Sequence, residues 1–62
     1  MDWTQDPKRN YIWISSSEYR IRKDHAQFNL YSPWGDFIIQ RDSLEDAQKM
    51  AEVVDALVHE EK

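Results

Sequence analysis

Apolar and polar positions alternate in short runs between residues 11 and 41, and after residue 43 they recur at helical spacing. "YIWI" (Tyr11 to Ile14) is β-branched and aromatic and stops at Ser15-Ser16-Ser17, which reads as a strand followed by a turn. "EYRIRK" (Glu18 to Lys23) sends Tyr19 and Ile21 one way and Arg20 and Arg22 the other, the pattern of a half-buried strand. After "DHA", "QFNLY" resumes the alternation with Phe28 and Leu30 on one face and Gln27, Asn29 and Tyr31 on the other. "SPWG" then supplies a turn, Pro33 being preset for its second position and Gly35 free to take positive φ. "DFIIQR" completes the strands, and brief connections make an antiparallel meander the economical topology.

From residue 43 the period changes. Leu44, Ala47, Ala51, Val54 and Val58 fall on one helical stripe, which Met50 and Leu57 widen. Ser43 is placed as N-cap with Asp46 three residues on, so a helix is predicted within 43–60. The pattern predicts one α+β domain over 1–62: a loosely held arm at 1–10, a three- or four-stranded antiparallel β-meander at 11–41, and one C-terminal α-helix packed on one face. The expected core is Ile12 or Trp13, Tyr19, Ile21, Phe28, Leu30, Ile39, Leu44, Ala47, Ala51, Val54 and Val58. Alternation leaves the choice between Ile12 and Trp13 undecided.

Composition adds two constraints. At 62 residues with no cysteine, the chain has no disulfide or thiolate zinc site to staple a small core, and its eight aromatic residues, all before the helix, must supply the buried bulk. The net charge of −4 is unevenly placed. Acids and bases balance up to residue 42, and the excess comes from Glu45, Asp46, Glu52, Asp55, Glu60 and Glu61 against Lys49 and Lys62. Such a helix face is read either as a solvated surface or as a mimic of nucleic-acid phosphate. No apolar leader segment and no run of membrane-spanning length is present, so a cytoplasmic protein is expected.

The candidate chemistry is that of binding. His25 and His59 lack ligand spacing from a second histidine, and no glycine-rich phosphate loop or nucleophile elbow occurs, so no enzyme activity, metal or cofactor is expected. If Tyr19, Ile21, Phe28 and Leu30 face the helix, Arg20, Arg22, Asn29 and Tyr31 share the opposite sheet face. That face is either solvated or a recognition surface. Trp34, at the tip of a hairpin, either folds back onto the core or stands out as an anchor, and Trp3 invites the same two readings. Arg20, Arg22, Asn29, Tyr31 and Trp34 are the candidate contacts for a partner. Two exposed tryptophans would also suit a homo-oligomer.

Trp13, Tyr19-x-Ile21-x-Lys23, Phe28-x-Leu30, a glycine turn at Gly35 and "DSLEDAQKMAE" together resemble small, mostly uncharacterised phage and prophage proteins of β-β-β-α design. The resemblance covers about residues 11–54 and lies in scaffold positions. It implies a non-enzymatic protein that modulates or inhibits a host protein by surface binding. A similar arrangement occurs in the arm-binding domains of tyrosine integrases and in plant AP2 domains, where the sheet enters the DNA groove. That makes a DNA-binding module the alternative, although net acidity sets this chain apart from them.

Overall fold

The computed structural model describes residues 2–59. Five strands, β1 (Trp3–Gln5), β2 (Ile12–Ser15), β3 (Arg20–Asp24), β4 (Gln27–Tyr31) and β5 (Phe37–Arg41), precede one helix, α1 (Leu44–His59). The strands form a single antiparallel sheet in chain order, so each pairs only with its sequence neighbours. The class is the expected α+β, but the strand count is five, not three or four. The extra strand comes from the arm: Trp3 pairs with Ser15, Thr4 with Ile14 and Gln5 with Trp13. The following loop is also tied down, with Asp6 Oδ1 accepting from the Lys8 and Arg9 amides and the Asp6 amide donating to the Ile12 carbonyl.

Helix α1 lies on β3, β4 and β5. Ile21 on the central strand β3 and Leu30 directly opposite it on β4 are fully buried under Ala47 and Ala51. Alanine at both contact positions lets the helix approach closely, while Leu44, Met50 and Val54 fill its flanks. The Ser43 hydroxyl accepts from the Asp46 amide at 3.2 Å, which satisfies one of the free N–H groups at the helix start. The strands resolve the choice that alternation left open: Trp13 packs on the core, against Phe28 at 5.9 Å between ring centres, and Ile12 faces the other way. Trp3 is half-buried against the same cluster, and its indole N–H has no hydrogen-bond partner among the described residues. Val58 corrects the expected core, for it is 48% exposed near the end of the helix, beside the exposed Leu57. Glu60, to which the expected helix extended, lies outside the described residues.

Two hairpin turns are built alike. In the β2–β3 turn the Ser15 amide donates to the Tyr19 carbonyl at 2.8 Å, the Glu18 amide to the Ser15 carbonyl at 2.9 Å, and the Tyr19 amide to the Ser15 hydroxyl at 2.9 Å. The β4–β5 turn repeats all three bonds with Ser32, Gly35 and Asp36, at 2.8, 3.0 and 2.9 Å. In both, the fourth residue takes positive φ, 72° at Glu18 and 95° at Gly35. Glycine adopts that conformation freely and glutamate does not. Because these turns follow β2 and β4, both lie at the same end of the sheet.

Candidate functional site: the open face of the sheet

The helix covers one side of the sheet and leaves the other bare. Side chains alternate along each strand, so the residues opposite the core positions share this bare side. Arg20 pairs across strands with Tyr31, and Arg22 with Asn29. Four of the five candidate contacts are thus two adjacent cross-strand pairs on one surface. On the flanking strands Ile12 stands opposite Arg22, and Gln40 opposite Asn29. The Gln40 side-chain amide donates to Asn29 Oδ1 at 2.9 Å, which links the two amides across β4 and β5.

Arg20, Arg22, Ile12, Tyr31 and Gly35 line a groove of about 290 Å³. Gly35 belongs to the β4–β5 turn, so that turn forms one end of the groove. Trp34 beside it is 68% exposed, which resolves its two readings: it does not complete the core. Trp3 resolves the other way and packs inward. A second depression of about 320 Å³ lies over β1 and β2, lined among others by Thr4, Ile14, Asp2 and Asp6.

Two aromatic residues join the face that were not among the candidates. Phe37 is 57% exposed and packs edge-on against Tyr31 at 5.9 Å between ring centres. Strict alternation would have put Phe37 on the same side as Ile39. A bulge breaks that rule: Tyr31 pairs with Phe37 and Leu30 with Ile39, leaving Ile38 as the extra residue. Ile38 and Ile39 both pack on the core, and Phe37 is left with Tyr31. The signal was three apolar residues in a row, which no regular strand with one solvated face accommodates. Tyr11 is the second, with the Arg22 guanidinium 5.7 Å from its ring centre. Trp34, already a candidate, belongs to the turn whose Gly35 lines the groove's end.

Charge is only partly segregated by side, since Arg20 and Arg22 share the open face with Asp24 while Lys23 and Arg41 pair with the core-facing Phe28. Glu45, Asp46 and Glu52 are exposed on the helix, and Asp55 is half-buried with its carboxylate 3.3 Å from His59 Nδ1. Glu60 and Glu61 of the acidic stripe lie outside the described residues. Buried Tyr19 has its phenol held above the usual tyrosine range, chiefly by desolvation and secondarily by the Asp55 charge. Among the described residues no cluster of His, Cys, Asp or Glu has the arrangement of a metal site, and no helix is long and apolar enough to cross a membrane. Arginines, amides and aromatic rings on a flat sheet can hold a complementary surface, and the arrangement contains no paired nucleophile and base. No family model, curated protein or solved structure matches this chain.

Proposed function

We propose that the chain is a small non-enzymatic binding protein that acts in the cytoplasm and modulates or inhibits a host protein by covering part of it with the open sheet face. The phage or prophage origin that the sequence resemblance implies belongs to this proposal. The observation that carries the reading is Trp34, 68% exposed in a turn held by three hydrogen bonds that do not involve it. A large exposed apolar side chain in the turn that ends a groove lined by Tyr31 and two arginines has the composition of an interface hot spot. The test is retention of a host protein from bacterial lysate by wild type and by the triple variant Arg20→Ala, Arg22→Ala, Trp34→Ala. Loss of the retained protein while circular dichroism stays native supports the assignment, and unchanged retention refutes it.

One observation favours a second reading. Arg20 and Arg22 point away from the acidic helix, so net acidity does not by itself block the face from nucleic acid. A DNA-binding module would show duplex affinity that falls steeply with salt. Absence of duplex binding at about 50 mM salt disposes of that reading.

A further inference from the structure

Neither arginine of the open face is in an ion pair among the described residues, where the pairs are His25 with Asp24 and His59 with Asp55, although Asp24 follows Arg22 on the same side of β3. Arg20 and Arg22 stand two residues apart on one side of β3, about 6.6 Å along the strand. A single carboxylate between them can accept from both guanidinium groups. Arg22 is already placed over the Tyr11 ring, and a cation–π contact engages the charge without using up the N–H donors. The groove beside these donors is lined by apolar groups, Ile12 and the Tyr31 ring. It therefore offers two cationic donors against an apolar lining in a space suited to one or two side chains.

Resting on the protein-binding reading above, we infer that this groove takes an acidic segment of the partner: a carboxylate bridging Arg20 and Arg22, with a neighbouring apolar side chain lying on Ile12 and Tyr31. Charge complementarity selects that occupant over a nucleic acid. Two cations neutralise two phosphates, whereas appreciable backbone affinity takes several more such contacts.

The test pans a displayed library of random peptides of about twelve residues on the full chain and on the double variant Arg20→Gln, Arg22→Gln. Both arginines are exposed, so native circular dichroism of the variant is expected and is checked first. Wild type is expected to enrich peptides in which Asp or Glu neighbours an apolar residue. The same peptides, made synthetically, should bind the double variant at least roughly tenfold more weakly, as expected on losing charge-assisted hydrogen bonds. Enriched peptides without acidic residues, or acidic ones that bind the double variant equally well, overturn the inference. If those peptides are nevertheless lost with Trp34→Ala, the protein-binding reading survives alone. A labelled oligo(dT) forms the second arm, and its capture by wild type but not by the double variant, without peptide enrichment, overturns both. Enrichment of nothing on either arm overturns the inference and leaves the lysate experiment to decide the broader reading.

Discussion

Ser15→Ala isolates the chemistry of the repeated hairpin turn. Ser15 is 5% exposed and its hydroxyl is the acceptor for the buried Tyr19 amide at 2.9 Å. Alanine removes one oxygen and almost no packing volume, so the main effect is to leave that amide buried without an acceptor. Such a loss costs about 1–3 kcal/mol. A chain of this length has a total stability of only about 3–9 kcal/mol, so the loss is a large fraction of it. The melting temperature should fall by about 4–8 °C for each kcal/mol lost. Urea and thermal unfolding, followed by far-ultraviolet circular dichroism and by tryptophan fluorescence, measure the change. Ser32→Ala removes the equivalent bond in the other turn, where the amide is only partly buried, and should cost less. Ser16→Ala, at an exposed position of the same loop, should change stability by less than about 0.5 kcal/mol. If Ser15→Ala melts with Ser16→Ala, the hydroxyl does not hold the turn and the reasoning fails.

Glu18→Gly should stabilise the fold by about 0.5–1 kcal/mol, because relief of the φ 72° strain exceeds the added chain entropy; a lower urea midpoint would contradict this. Ile21→Ala, at a fully buried central position, should cost about 2–5 kcal/mol and leave the chain largely unfolded at 37 °C, whereas native proton spectra at that temperature would refute the core assignment. Tyr19 is held above the ordinary tyrosine pKa, so its contribution is complete below about pH 10 and is lost as pH rises from there through the folded value. Tyr19→Phe should accordingly flatten the alkaline decline in melting temperature, and an identical decline in both proteins would refute the linkage.

The central hairpin was legible because its alternation is unbroken: Ile21 and Leu30 inward, Arg20, Arg22, Asn29 and Tyr31 outward. The helix was legible from its stripe and its Ser43 cap. Strand β1 was not, since three residues with two polar side chains carry too little periodicity, and only pairing with β2 holds them. Val58 misled because a helical stripe records which side of the helix is apolar but not where the sheet beneath it ends. Phe37 escaped because a bulge shifts the strand's phase by one residue, a change decided by pairing with Tyr31 rather than by composition. The arginine pair was visible in the sequence, whereas the groove beside it required Ile12 and Gly35, which are brought together only by the folded sheet.

The chain-order sheet also bears on how the molecule acquires its shape. Every strand finds its partner a few residues away, so closing each hairpin loses little loop entropy and the topology belongs to the faster-folding end of mixed domains. During synthesis the hairpins can zip in turn as they emerge, each templated by the one before. The cover arrives last: until α1 has emerged, Ile21 and Leu30 are a bare apolar sheet face. At translation rates of about 5–20 residues per second that exposure lasts on the order of a second, the interval in which a nascent chain is open to capture by a chaperone or by another sheet.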